Sequence, residues 1–422
     1  MNSKLIIHNI KRLYGTKDRG IKKGYDLNSI DFLDDAYIVC ENGRISEVGT
    51  KEFFKKFENA AFIDAENKIV VPGFIDGHTH LIHGGSREHE FIDKIRGVPY
   101  LDILKNGGGI LNTVKKTRKA TFDDLYNKGF EDLNEMLSNG VTTVEAKSGY
   151  GLDLENELKQ LRISKKLNED HPVDIINTYL AAHAIPGEYR GKPDEYIDKC
   201  IEWLRDVKEN DLAEFCDIFC EKGVFNVDQA RKLFMEAEKL GFYLKIHADE
   251  ICDLGASNLA KEFKFATFDH LIASSDESIK TLKKNNTIAN LLPFTSFSLS
   301  KPYARARKFI EEDVAIGISS DFNPGSAPNN NFQLVMQMAS IGLKLTPIEI
   351  LNAVTLNASY GLYINEEAGT IEKGKKADIV ILNCDNLEYF FYRMGKNHIK
   401  YVVKNGRVYD ENSSMCSKFF RR

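Results

Sequence analysis

The stretch VPGFIDGHTHLIHGGSRE, residues 71–88, sets two histidines one residue apart where an apolar run ends. Alternate side chains of a strand share a face, so His78 and His80 are expected to point the same way from the end of the run 69–75. Other residues able to bind a metal or move a proton stand at the ends of further apolar runs: Tyr150, His183, His247 with Glu250 just beyond, His270 and Asp321. The chain has 10 histidines, and half of them fall at such ends. A histidine after a single strand is most often a hydrogen-bonded structural residue. Histidines and an aspartate gathered from separate strands are instead the nitrogen and oxygen donors that zinc or another divalent transition metal prefers. An ion held with one position open lowers the pKa of water to about 7 and polarises a carbonyl, which is hydrolytic chemistry. His8, His171 and His398 fall in the flanks or in a turn and are read as structural.

Such residues can meet only if the strands that carry them lie side by side. From about Val70 to Leu362, short β-branched runs alternate with longer stretches of helical periodicity, the pattern of βα units around a parallel sheet. Eight runs read as strands: 69–75, 141–146, 174–181, 213–220, 242–247, 266–270, 287–292 and 314–319. Stretches 155–168, 194–208, 227–240 and 277–284 read as helices between them. Eight such units in about 290 residues match a (β/α)8 TIM barrel, with a doubly wound open sheet as the alternative. A barrel places its chemistry at the carboxyl ends of its strands, where these residues collect.

The flanks have a different grammar. Runs 5–10, 36–40 and 44–48 near the start, and 378–382, 399–404 and 407–409 near the end, are short strands with Asn-Gly turn signals at Asn42-Gly43 and Asn405-Gly406. They predict a small β-sandwich domain built from both termini, residues 1–66 and 366–422, with the barrel, 67–365, inserted into it. The last ten residues read as a frayed tail.

Composition closes off other functions. With 57 basic and 62 acidic residues the net charge is −5, and no block of like charge suggests a nucleic-acid or membrane partner. No signal peptide core or bilayer-length apolar segment is found, so the reading is cytoplasmic. Seven scattered cysteines, with Cys216 and Cys220 flanking a buried run, read as reduced thiols without a role.

Several motifs resemble the amidohydrolase superfamily: PGFIDGHTH at 72–80, HADE at 247–250, DHL at 269–271 and SSDFNPGSAP at 319–328. The metal-binding motifs mark only the superfamily. GGGI at 107–110, EAKSGYGL at 145–152 and AAHAIP at 181–186, taken with DFNPGSAP, are more particular and resemble the branch that opens the imidazolone ring in histidine degradation. The resemblance spans nearly the whole chain.

It implies metal ligands His78, His80, His247 and Asp321 and one metal per chain, zinc or iron. Binuclear relatives use a carboxylated lysine at the end of strand four, and Lys222 stands one or two positions too late for that. The implied substrate is 4-imidazolone-5-propanoate, hydrolysed at its ring amide to N-formimino-L-glutamate. Asp321 is then the proton acceptor and His270 a partner of the attacking water or carbonyl oxygen, or else a brace for the metal site. Glu250 is assigned to the substrate ring, provided that a helix over 253–263 offers its carboxylate to the pocket; an N-terminal helix carboxylate is the rival reading. Arg87 suits the propanoate group because a guanidinium takes two oxygens at once, against the rival of a solubilising surface charge. Tyr150, His183, Asn323, Gly325 and Ser326 are matched to further substrate contacts. Gly107–Gly109 reads as a cover over the pocket or a plain loop, and Tyr100 and Asp102 are unassigned. A homodimer is implied by family likeness. The alternatives are another mononuclear hydrolase or deaminase of this superfamily, acting on a small anion, and a non-enzymatic barrel, which would be expected to have lost ligands that are all present here.

Overall fold

Pro72 and Gly73 divide the apolar run 69–75 between two sheets. In the computed structural model, which describes residues 4–51, 60–98, 108–283 and 287–410, β4 (Ala61–Pro72) belongs to the sheet of the termini and β5 (Phe74–Asp76) opens the barrel. The single strand expected over the run is thus two. Gly73 packs against β6 (Val141–Lys147) so tightly that a Cβ would come within 2.3 Å of the Thr142 hydroxyl oxygen, which fixes where the chain turns from one sheet to the other.

Eight strands pair in parallel and in sequence order: β5, β6, β7 (Asp174–Ala182), β8 (Phe215–Cys220), β9 (Tyr243–Ala248), β10 (Phe265–His270), β11 (Ile288–Leu291) and β12 (Ala315–Ile318). The last seven fall within two residues of the expected runs. First and last strands are joined by the residues just beyond them. Thr79 bridges Phe322, the Asp321 N–H donates to the His78 carbonyl at 3.0 Å, and the His80 N–H donates to the Phe322 carbonyl at 2.8 Å. The seam of the barrel therefore runs through the backbone of the His-x-His segment.

Helices cover the outside because their apolar stripes need the sheet. The helix Leu154–Asp170 is capped by Asp153, whose carboxylate accepts from the Asn156 N–H, and it buries Leu158, Leu161, Ile163 and Leu167. Each such side chain contributes about 1.5–3 kcal/mol of transfer free energy. Helices Pro193–Glu209, Val227–Lys239 and Asp276–Lys283 correspond to the other expected stretches, with Lys284 outside the described residues. The helix expected over 253–263 is only a 3-10 turn, Ala256–Lys261. Gly255 at φ +75° precedes it, and the Asp253 carboxylate accepts from Ser275 and Ser278 instead of capping a helix.

The termini form one continuous seven-stranded sheet in the order β15 (Arg407–Asp410), β14 (Ile399–Lys404), β13 (Ile379–Leu382), β4, β1 (Lys4–Tyr14), β2 (Phe32–Glu41), β3 (Arg44–Thr50). Both Asn-Gly turns have positive φ at each residue, 52° and 81° at Asn42 and Gly43, 49° and 71° at Asn405 and Gly406, which matches the right-handed twist of the strands they join. The sheet folds back so that the two turns meet, Gly43 lying against the Asn405 carbonyl. Ile7, Ile38, Val70, Ile379, Ile381 and Val403 form the core of this sandwich. Cys40, Cys200, Cys216, Cys220 and Cys384 are buried free thiols and Cys252 is partly exposed. Among the described residues no helix is long and apolar enough to cross a membrane. Tyr100, Asp102, Gly107 and the final tail lie outside them.

Candidate metal centre

The predicted residues converge at the carboxyl end of the barrel. The ring of His78 lies 5.4 Å from that of His80, 4.5 Å from His247 and 5.5 Å from His270, centroid to centroid. His183 stacks on His80 at 4.7 Å with 8° between the planes. Asp321 Oδ1 lies 3.5 Å from His78 Nε2 and 3.6 Å from His80 Nε2. Three overlapping sets have donor atoms mutually within 4.8 Å: His78, His80 and Asp321; His78, His247 and His270; His80, His183 and His247. All are buried.

This cluster fits a metal ion. Zinc bonds of about 2.0–2.1 Å at tetrahedral angles place donors about 3.3–3.4 Å apart, close to the separations at Asp321. Buried polar atoms are normally satisfied, yet Nε2 of His78 and of His247 and Nδ1 of His80 have no hydrogen-bond partner among the described residues. Burial holds His78 and His80 well below the usual histidine pKa, in the neutral form that ligates. His247 differs. Burial depresses its pKa too, but the Asp217 carboxylate, 2.9 Å from its Nδ1, outweighs burial and raises it.

His78 Nδ1 is paired with Asp269 at 2.7 Å, so both imidazoles present Nε2 to the cavity. The sequence reading gave no role to Asp217, nor to Asp269 and Lys147 although these stand in the DHL and EAKSGYGL motifs; the Lys147 ammonium lies 2.8 Å from Asp217 and 2.9 Å from Glu145. The available signal was a charged residue at an inward position of an apolar strand, as in FCDIFC and VEAKSG. Thr295 was missed as well; its hydroxyl donates to Asp321 Oδ2 at 2.5 Å.

Around the cluster, Glu250 lies 3.9 Å from His270 Nε2. Burial pushes its carboxyl up to about 7, and that of Asp321 up as well. His270 is held down at about 4 by burial. His270 and Asp321 adopt φ of +76° and +57°, a conformation side-chain-bearing residues seldom keep without surrounding constraint. Tyr150, 3% exposed, sits 5.5 Å from the His80 ring, and the His183 Nδ1 is 3.1 Å from the Gly149 carbonyl oxygen.

Arg87 is no surface charge: its side chain is 10% exposed, and Nη2 lies 2.6 Å from the buried Glu90. Gly325 lies directly against its Nη1. Glu90 also accepts from the Gly109 N–H at 3.0 Å, tying Arg87 to the end of the glycine run. Asn323 differs from expectation in detail. Its Nδ2 donates to the Asp321 carbonyl and the Ser326 hydroxyl, and its Oδ1 accepts from the Gly325 and Ser326 N–H groups, so its amide shapes the loop. Lys222 is exposed. His171 and His398 are structural: His171 is bonded to Asn134 and to the Val173 N–H, and His398 to the Arg393 carbonyl.

Residues 69–409 match the model of the amidohydrolase family. An imidazolonepropionase of Fusobacterium nucleatum is 47% identical over 97% of this chain and 99% of its own, and one of Alkaliphilus oremlandii is 46% identical over 98% and 100%. An imidazolonepropionase of Bacillus thuringiensis is 47% identical over 93% of both chains. Among solved structures, Escherichia coli guanine deaminase superposes with a TM-score of 0.74 at 14% identity, covering 98% of this chain and all of that one. A triazine hydrolase from Arthobacter aurescens does so at 0.71 and 16% identity, covering 97% and 95%. At these identities the two structures establish the fold alone.

Proposed function

The chain belongs to the amidohydrolase family, and from its near-full-length likeness to imidazolonepropionases we infer that it opens the ring of 4-imidazolone-5-propanoate with water. The reaction adds hydroxide to the ring carbonyl carbon and a proton to the ring nitrogen, breaking the amide C–N bond and yielding N-formimino-L-glutamate. The observation that carries the residue assignment is the overlap of buried donor sets, His78 and His80 with Asp321 and each of these two imidazoles with His247 in a neighbouring set, beside an arginine whose side chain is only 10% exposed.

In this reading those four residues hold one zinc or iron ion, whose donor preferences they satisfy. When bound, such an ion polarises the amide carbonyl and makes water a hydroxide donor near neutral pH. Asp321 would take a proton from the attacking water and return it to the ring nitrogen, with the Thr295 hydroxyl holding its Oδ2 in place. His270 donates to the carbonyl oxygen as charge builds there. Glu250 carries a proton to or from the ring, a task suited to a carboxyl pushed up to about 7 by burial. Arg87 receives the propanoate, and Tyr150 and His183 wall the ring. Asn323 acts through the loop it shapes, which presents Gly325 and Ser326. Arg87 is also the feature that favours this substrate over an uncharged nucleobase.

Family likeness supports a cytoplasmic homodimer without a nucleic-acid partner, and light scattering checks its mass. The two sheets support a division close to residues 1–66 with 366–422 and a barrel of 67–365, except that β4 carries the terminal sheet on to Pro72 and the barrel starts after Gly73. The deciding experiment follows the ultraviolet absorbance of imidazolonepropionate. Decay that stops with chelator and returns with zinc or iron is expected; no decay by the metal-loaded chain refutes the reading.

A further inference from the structure

Beneath the histidine cluster the barrel interior holds a layer of charge that the reaction above does not use. Glu145 and Lys147 from β6, Asp217 from β8, Lys245 from β9 and Asp269 from β10 are all buried. Lys147 Nζ lies 2.8 Å from Asp217, 2.9 Å from Glu145 and 3.6 Å from Asp269. Lys245 reaches Glu145 at 3.0 Å and donates to the Gly77 carbonyl at 2.7 Å. Asp217 backs His247 and Asp269 backs His78, so among the described residues Lys147 is the one cation within 4 Å of both carboxylates that orient those imidazoles. Its backbone is tied to the same place, the Lys147 N–H donating to the Thr79 carbonyl at 3.0 Å.

An imidazole that ligates through Nε2 needs its Nδ1–H held by an acceptor, which sets both tautomer and aim. Two carboxylates this deep in a barrel repel each other and turn away or take up protons unless a cation stands between them. Burying an ammonium costs several kcal/mol, and an apolar side chain of the same length would fill the space without that cost. What the ammonium adds is a fixed position for Asp217 and Asp269 at once.

We propose that Lys147 is a positioning residue for the metal centre: by gripping Asp217 and Asp269 together it aims His247 and His78 and so sets how tightly the chain holds its ion. The proposal rests on the metal-dependent reading given above. The test is calorimetric titration of the full-length, chelator-stripped chain with Zn2+, beside thermal unfolding of the stripped protein. Lys147→Met is expected to weaken Zn2+ binding by about 10–100-fold. Should that variant not fold, Lys147→Met with Glu145→Gln, which removes one charge of each sign, carries the same expectation. Folded variants that bind Zn2+ within threefold of wild type overturn the proposal, even if they melt earlier, because Lys147 would then be core filling only. Wild-type chain that takes up no Zn2+ would overturn the metal reading itself and this proposal with it.

Discussion

Gly325 stands where no side chain fits beside Arg87. A Cβ there would lie 2.1 Å from Nη1 and 3.0 Å from Cζ. Ordinary contact begins at 3.4 Å, so Gly325→Ala must drive the guanidinium back by about 1.3 Å. That group is not free to swing, because Nη2 is held at 2.6 Å by Glu90, which is itself buried. A displacement of that size breaks one arm of a two-pronged grip on a carboxylate. A charge-assisted hydrogen bond contributes about 1.5–3 kcal/mol, or roughly 10–150-fold in affinity. Residue 325 does not have positive φ, so alanine costs little in backbone strain. We therefore expect KM for imidazolonepropionate to rise about 10–100-fold, with metal content and unfolding midpoint close to wild type. Initial rates over a substrate series give KM, and hydrolysis of an imidazolone lacking the propanoate arm serves as control. A KM within twofold of wild type, or an equal loss toward the armless compound, would refute the placement of Arg87.

Three further outcomes are expected. Glu250→Gln should lower kcat by about 10²–10⁴ with full metal content, as removal of a proton carrier does; unchanged kcat in steady-state rates would dismiss Glu250 from the chemistry. Burial pushes His171 down to about 3, below its ordinary 6.5, so folding favours its neutral form. Its contribution is complete above about pH 6.5 and declines as pH falls toward 3, by at most roughly 4–5 kcal/mol at 1.36 kcal/mol per unit. Urea unfolding of His171→Asn should show a shallower loss than wild type across that window, and parallel curves would contradict it. Lys404 is a fully buried ammonium 2.7 Å from both Asp174 and Asp378; Lys404→Met leaves the buried Asp378 without its cation, while Asp174 keeps Lys376 at 2.7 Å, and should cost about 3–5 kcal/mol in denaturant unfolding while kcat stays put.

What could be read from the sequence followed from periodicity and from where polar residues interrupt it. Seven barrel strands were visible because β-branched runs such as 141–146 and 174–181 are bounded by helical stretches. The first was not, because the run 69–75 is apolar throughout and nothing in its hydropathy marks the change of sheet at Gly73. His78, His80, His247, His270 and Asp321 stood out as polar residues at strand ends. The roles of Asp217, Lys147 and Asp269 stayed hidden, the last two even within the motifs EAKSGYGL and DHL, because each is paired inside the barrel, and pairing is a matter of neighbouring strands. The 3-10 turn at Ala256–Lys261 was read as a helix since composition does not show that Asp253 bonds across to Ser275 and Ser278.

One consequence concerns synthesis on the ribosome. Val70, Val71 and Pro72 of β4 pair with Ile381, Val380 and Ile379 of β13. At about 5–20 residues per second, the roughly 300 intervening residues take about 15–60 s to emerge. For that time the nascent chain displays an apolar strand with an open edge, the kind of surface that recruits unwanted pairing. The C-terminal strands thus act as a clasp that translation delivers last.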